Sequence, residues 1–505
     1  MEKLFNKILV ANRSEIAIRV MNACRVLGIP SVAVYSDADL NSRHRLAADE
    51  SVHIGAPPPR ESYLDIDKLI AAAKETGADA IHPGYGFLAE NPGFARKCKD
   101  NGITFIGPEP EAIELLGNKV ASRIKMADAG VPLIPGMKGS ETDLEVYKKT
   151  AEEAGFPVMI KAAAGGGGKG MRIVHEASEL EGAIEAARRE ALNAFNDDTV
   201  YLEKYIVNPR HIEFQVMADT HGNTIHVFER ECSIQRRHQK IIEETPSVAV
   251  DPDLRARMGA DAVKVAQAAD YTNAGTVEFL LDENGGYYFL EMNTRIQVEH
   301  PITEMVTGTD LVVEQIRIAA GLGLSDQFKN LTQRGHAIEC RIYAEDGDNN
   351  FMPSTGKIHH YSEPSGPGIR VDSGVQVGQE ITIDYDPIMA KLIVHAPSRD
   401  LAIEKMIDAL NQYKLLGVKT SKRFMIDSML HPAFAEGKTY TDFIEKHMAD
   451  RDANYGDFKE LAVAAATAAS VMTKKTTAAS SEGEATQPTV WSSIGAWQIG
   501  ESIHE

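Results

Sequence analysis

Hydrophobic and polar positions along the chain follow three regimes. Near the N-terminus, short apolar runs at 7–11 and 31–35 are separated by a helical stretch at 19–27, and Asp37 follows the second run. Continuous apolar runs bounded by turns read as buried parallel strands, so the opening predicts a βαβ unit. Further on the pattern changes to period two. Residues 211–217 and 336–343 alternate polar with apolar, which predicts half-buried strands. Residues 399–413 carry the 3.6-residue repeat of an amphipathic helix laid on a sheet.

The sharpest local prediction covers 276–300. Two β-rich runs, 276–281 and 287–290, flank Asp282-Glu283-Asn284-Gly285-Gly286, and Asn-Gly between such runs signals a hairpin because both turn residues accept positive φ. A loop of two or of four residues sets Glu278 opposite Glu291. Like charges directly opposite destabilise a sheet, so a cation should sit between them. Asn293 shares their face and adds a neutral oxygen, completing a donor set suited to magnesium or manganese. If the chain stays extended, Arg295, Gln297 and Glu299 continue the same row.

Other stretches carry less specific chemistry. The βαβ opening with Asp37 invites a dinucleotide reading, but the turn Asn12-Arg13-Ser14-Glu15 lacks GxGxxG, so the backbone could not closely approach a pyrophosphate. His82-Pro83-Gly84-Tyr85-Gly86 is a strand end running into either a tight turn or a ligand contact. Between strands at 158–162 and 171–174 lie Gly165, Gly166, Gly167, Gly168 and Gly170, with Lys161 and Lys169 at the sides. Exposed N–H groups in such a loop cradle phosphates, although a strand-to-strand connection is not a P-loop. Glu203 and Lys204 end a strand where an adenine edge could be read. Arg236, Arg237, His238 and Lys240 read as a local anion pocket.

That cluster matters because the whole chain is acidic. With 53 bases and 73 acids the formal charge is −20, which disfavours nonspecific binding to nucleic acid or anionic membranes, so an anionic substrate needs local bases. The 505 residues suggest roughly three domains, and 43% hydrophobic with 25% charged residues is ordinary for a soluble protein. No apolar run reaches membrane-span length. Cys24, Cys98, Cys232 and Cys340 are scattered without a CxxC pair, so neither a disulfide framework nor zinc is indicated and a reducing cytoplasm fits best.

Taken in order, the His82–Gly86 motif, the glycine loop, Gln235 to Lys240, Glu291 to His300 and Glu339-Cys340-Arg341 resemble the biotin carboxylase component of biotin-dependent carboxylases, an ATP-grasp enzyme, over roughly the first 450 residues. The resemblance implies a multidomain α/β and α+β chain. Its parts would be a Rossmann-like N-terminal domain (1–117), linker helices and a glycine-loop lid (118–205), an ATP-grasp catalytic domain (206–330), a C-terminal biotin carboxylase domain (331–450) and a tail (451–505). Lys119, Lys161, His211 and Lys240 would engage ATP phosphates under the lid, Glu203 and Lys204 would lie near adenine, and Gln235, His238 and Leu280 would line the nucleotide site. Glu278, Glu291 and Asn293 would hold the metal. Arg295, Gln297 and the Val298 backbone would bind bicarbonate, with Glu299 its general base and Arg341 stabilising the biotin enolate.

No Ala-Met-Lys-Met tetrapeptide occurs, so biotin is expected on a separate carrier protein, with a carboxyltransferase as second partner and a homodimer or larger complex as assembly. Residues 385–392 look most like the acyl-CoA carboxylases; a pyruvate or other 2-oxoacid carboxylase is the alternative. Another carboxylate–amine ligase of the ATP-grasp class and a noncatalytic nucleotide-binding module are the remaining rivals. After an alanine-rich helix at 461–472 and a small-residue linker comes a segment with Trp491 and Trp497, the two tryptophans of the chain, which reads as a partner anchor.

Overall fold

Five parallel strands open the computed structural model, in the order Glu50–Gly55, Ser31–Ser36, Ile8–Val10, Ala80–His82, Thr104–Phe105. Helices cover both faces, as parallel strands buried on both sides require. One face packs Leu9, Val32, Val34 and Ile81 against the helices Ile66–Thr76 and Pro92–Asp100. The other packs Ile8, Val10 and Ala33 against Ser14–Val26 and the distant helix Leu311–Ala319. The structure describes residues 4–137, 143–163, 171–236, 239–449, 451, 463, 464 and 467. Residues 1–449 form one compact unit and 450–505 another. Of the tail, Val463, Ala464 and Thr467 are helical; Trp491 and Trp497 lie outside the described residues.

The βαβ opening is present, and the place where a dinucleotide would lie is filled. The first helix starts at Ser14, five residues before the stretch expected from periodicity. Gly374, from the C-terminal part of the chain, sits so close to this helix start that an added Cβ would lie 2.5 Å from the Glu15 nitrogen. Asn12 donates to the carbonyls of Pro83 and Tyr85, both at 2.7 Å, tying the first turn to the His82–Gly86 turn.

A small antiparallel sheet follows, in the order Arg172–Val174, Val158–Ala162, Val200–Lys204, backed by Leu144–Ala154 and Leu180–Phe195. Its first two strands pair with each other, as the glycine-loop reading requires. The loop itself, Gly165 to Gly170 with Lys169, lies outside the described residues.

The largest sheet has eight antiparallel strands: Tyr287–Asn293, Asn273–Leu281, Arg210–Ala218, Thr224–Arg236, Gln239–Thr245, His336–Tyr343, Ile388–Ala396 and Ile369–Ser373. It runs unbroken across residue 330, where the sequence suggested a domain boundary. The helix at Arg399–Gln412 buries Ala402, Ile403, Met406, Ala409 and Leu410 on it, as its periodicity indicated. The two alternating strands, however, are buried on both faces rather than half-buried. Their apolar faces meet helices; on their polar faces Glu213, Gln215 and Arg341 are paired with other polar side chains, while Glu339 is buried without a hydrogen bond among the described residues and burial raises its pKa. A buried polar face persists only where its groups are paired, so this face is where chemistry is to be sought.

Candidate active site

Glu278 pairs with Glu291 across the hairpin, as expected, but by a different route. The turn closes on Asp282, whose N–H donates to the Gly286 carbonyl at 2.8 Å and whose carboxylate accepts from the N–H groups of Asn284 and Gly286. That loop pairs Leu281 with Tyr287 and Phe279 with Phe289, one position out of step. Leu290 then bulges and restores Glu278 to Glu291. Bulges re-aim side chains beside functional sites and leave no signature in an alternating pattern.

Beyond Asn293 the row does not continue as a strand. The strand ends there, and a turn through Val298 and Glu299 leads into the helix His300–Thr307. The turn brings Gln297 and Glu299 back over the sheet. Lys240 Nζ lies 2.5 Å from Glu213, 2.9 Å from Glu278, 2.7 Å from Glu299 and 3.2 Å from Gln297 Oε1. Glu299 also meets Arg341 at 3.0 Å, while Arg341 Nε donates to Glu243 at 2.5 Å and Nη1 to the Tyr343 hydroxyl at 3.3 Å. Arg295 is held from the N-terminal side by Glu90, whose other oxygen accepts the Thr294 N–H.

Burial alone would push the Glu299 carboxyl up; Lys240, Arg341 and Arg230 outweigh it and hold the group well below the usual range. Glu278 is likewise held low, against burial, by Lys240 and His211, whose Nε2 lies 2.8 Å away. Burial works against the charge on Lys240, but Glu213, Glu278 and Glu299 together keep it firmly protonated. Lys240→Met would leave three buried carboxylates facing one another. Removing one partner of a buried ion pair costs about 3–5 kcal/mol, so its urea midpoint is expected to fall clearly below wild type. An unchanged midpoint would show that the three are not ionised together.

Glu291 differs. Among the described residues its carboxylate has no hydrogen bond or ion pair, and burial followed by Glu278 raises its pKa. An unpaired carboxylate opposite Glu278 and one residue pair from the Asn293 amide is a hard-oxygen donor set, and it fits magnesium or manganese. Asn293 now donates to Glu278 at 2.8 Å, an orientation a bound cation would reverse. Two other groups have donor atoms within 4.8 Å of one another, His211 with Glu213 and Glu278, and Glu213 with Cys232 and Glu299. The Lys240 ammonium already bridges their carboxylates, so the cation there is the lysine.

Beside this cluster a cavity of about 200 Å³ is lined by Lys119, Arg123, Tyr201, Glu203, Glu291 and Asn293, among others. Lys119 and Arg123 lie one turn apart on the helix Lys119–Asp128. Glu203 is clamped at 2.6 Å by both Arg123 and Lys161. Leu280 follows Glu278 on the same strand face and pairs with His211. Lys204 is not brought here: its ammonium binds the carbonyls of Gly155 and Phe156.

The basic cluster does not converge as expected. The hairpin turn sets Gln235 opposite Lys240 and Arg236 opposite Gln239, so the two bases face opposite ways. Lys240 enters the site, whereas Arg236 lies over the Phe351 ring and near Glu345. Arg237 and His238 lie outside the described residues. Several site residues escape sequence reasoning. Arg123 had a signal, its helical spacing from Lys119; Glu213 had one too, the period-two spacing from His211. Arg230, fully buried on Glu213, Gln215 and Thr303, had none.

An eight-stranded antiparallel sheet and a smaller three-stranded one flanking a cavity lined by Lys119, Arg123, Glu203 and Glu291 are the arrangement of an ATP-grasp ligase. Three family models match along the chain: biotin carboxylase N-terminal domain at 4–113, carbamoyl-phosphate synthase L chain ATP-binding domain at 118–327, and biotin carboxylase C-terminal domain at 339–446. A pyruvate carboxylase subunit of Methanothermobacter thermautotrophicus is 55% identical over 450 residues, 89% of this chain and 91% of that protein. The alpha subunit of rat mitochondrial methylcrotonoyl-CoA carboxylase is 50% identical over 445 residues, 88% of this chain, and the chain spans 62% of its length. The biotin carboxylase domain dimer of Hydrogenobacter thermophilus 2-oxoglutarate carboxylase, solved with MgADP, ADP and bicarbonate, superposes with a TM-score of 0.84 at 50% identity, covering 88% of this chain and 98% of that one. The chain belongs to the biotin carboxylase family, ATP-dependent ligases that carboxylate biotin.

Proposed function

We propose that this chain carboxylates biotin on a separate carrier protein as the first half-reaction of an acyl-CoA carboxylase in the cytoplasm. The observation that carries the site assignment is Glu299 held between Lys240 and Arg341 beside the Glu278–Glu291 pair. A bicarbonate oxygen bonds to the γ-phosphorus of ATP, the bond to ADP breaks, and the bicarbonate proton passes to Glu299. Lys119, Lys161, His211 and Lys240 neutralise phosphate charge, and the metal held by Glu278, Glu291 and Asn293 supplies further charge stabilisation when bound. Lys161 must leave Glu203 to take part.

Glu299 enters ionised, and in the empty site a weak base. Anionic substrates offset Lys240 and Arg341, which raises its proton affinity at the moment it is needed. Carboxyphosphate splits into CO₂ and phosphate, the phosphate takes the proton from biotin N1, and Arg341 pairs with the resulting enolate while N1 attacks CO₂. Arg341 commits three of its five N–H donors to Glu243, Tyr343 and Glu299, so two remain for biotin. ADP release should therefore require bicarbonate and rise further with free biotin. Release indifferent to both would place the chain among other ATP-grasp ligases or nucleotide-binding modules.

For the final acceptor, the 55% identity to a pyruvate carboxylase subunit favours a second reading, a 2-oxoacid. In the stretch 385–392 the Tyr385 hydroxyl bonds Ser36 and the Pro57 carbonyl and Lys391 is fully buried. The acceptor that discharges carboxybiotin when the copurifying carboxyltransferase is present decides between them. The tail segment with Trp491 and Trp497 is the proposed anchor for carrier or carboxyltransferase. A chain ending at Asp450 should keep biotin-stimulated ADP release and lose copurification; unchanged copurification would rule the anchor out.

A further inference from the structure

We infer that Lys391 is a positioning residue for bicarbonate, fixing the peptide that carries Glu299 by gripping the Val298 carbonyl. Lys391 is fully buried on the strand Ile388–Ala396, directly opposite Arg341 on one side and Asp372 on the other. Its ammonium donates to the Val298 carbonyl at 3.0 Å and lies 3.2 Å from Glu15, 3.7 Å from Asp372 and 5.9 Å from the Tyr85 ring centre. Adjacent sheet residues thus hold the two ends of Glu299: Arg341 its carboxylate, Lys391 the peptide before it.

The other contacts of the turn agree. His300 closes the turn on the Gln297 carbonyl, with its N–H at 3.3 Å and Nδ1 at 2.7 Å, whereas the Val298 carbonyl is held from another element, by Lys391. The Val298 N–H has no hydrogen bond among the described residues and is left for a ligand. Burial and the Lys391 charge keep His300 neutral, so one ring nitrogen carries the proton for that bond and the other does not. Asp372 is matched by Arg370 through two bonds of 2.7 and 2.8 Å, whereas the Glu15 carboxylate has, among the described residues, no partner but Lys391. Burial raises the Glu15 carboxyl to about 7 against the pull of Lys391, so Glu15 and Asp372 together flank a lysine whose one hydrogen-bonded carbonyl among the described residues is that of the bicarbonate turn. A buried ammonium is held to one geometry by such partners, and preorganisation of this kind places reacting groups within the tolerance that catalysis demands.

This inference rests on the assignment of bicarbonate to Gln297, Val298 and Glu299. Two variants test it: the charge-balanced Glu15→Gln/Lys391→Met, and Lys391→Arg, which keeps the charge but displaces the donor. ADP release is followed while bicarbonate and ATP are titrated in turn. A misplacement of about 1 Å costs on the order of a hundredfold, so the KM for bicarbonate is expected to rise about 10- to 100-fold with the KM for ATP within about twofold. An unchanged bicarbonate KM in a folded variant, or equal rises for both substrates, overturns the clamp. So does failure of both variants to fold, because the lysine is then a folding element alone. Glu299→Gln assayed in parallel separates the two claims: if it keeps bicarbonate-dependent turnover, the site assignment fails; if it loses turnover while the Lys391 variants keep normal KM, only the clamp fails.

Discussion

Glu299→Gln is expected to lower bicarbonate-dependent ADP release by about 10²- to 10⁴-fold, the usual contribution of a general base. The amide keeps the shape of the side chain and an oxygen for Lys240 at 2.7 Å, but it cannot take a proton. Two buried cations, Lys240 and Arg341, lose one negative charge between them, yet Glu213 and Glu278 still balance the lysine and Glu243 the arginine. The variant should therefore fold and bind MgADP with nearly unchanged affinity by titration calorimetry. Near-normal turnover would remove Glu299 from the role of base.

Arg341→Ala should separate the two half-reactions. Removing one preorganised charge partner of a developing anion costs about 2.7–4 kcal/mol, or 10²- to 10³-fold, and here the anion is the biotin enolate, which forms only after carboxyphosphate. Carboxybiotin formation is expected to fall by that factor while bicarbonate-dependent ATP cleavage falls less, because Lys240 still holds the Glu299 carboxylate at 2.7 Å when Arg341 is gone. The fold should survive. Burial already pushes Glu243 up to about 7 against the influence of Arg341, so without the guanidinium it takes up a proton and goes neutral. Equal loss of both activities would make Arg341 a nucleotide-site or structural residue.

The parts of this site legible in the sequence are those governed by short-range periodicity. Glu278, Glu291 and Asn293 could be placed on one face because a strand alternates, and the hairpin turn was marked by Asn284-Gly285. The bulge at Leu290 was not legible, and the expected pairing survived only because it offsets the turn closed by Asp282. Extending the row through Arg295 to Glu299 failed for a related reason: a helix begins at His300, and the turn leading into it folds Glu299 back onto Lys240. Arg236 and Lys240 read as one cluster in one dimension, whereas the hairpin between them sends them to opposite faces. Lys391, Arg230 and Glu15 act through partners tens to hundreds of residues away, contacts that no local pattern encodes.

If bicarbonate itself attacks the γ-phosphate, one of its oxygens stays on phosphorus when carboxyphosphate loses CO₂. ATP turnover with fully ¹⁸O-labelled bicarbonate in ordinary water, sampled before the label exchanges, should give inorganic phosphate carrying one heavy oxygen per molecule by mass spectrometry. Unlabelled phosphate would mean that water is the nucleophile and would contradict the assignment.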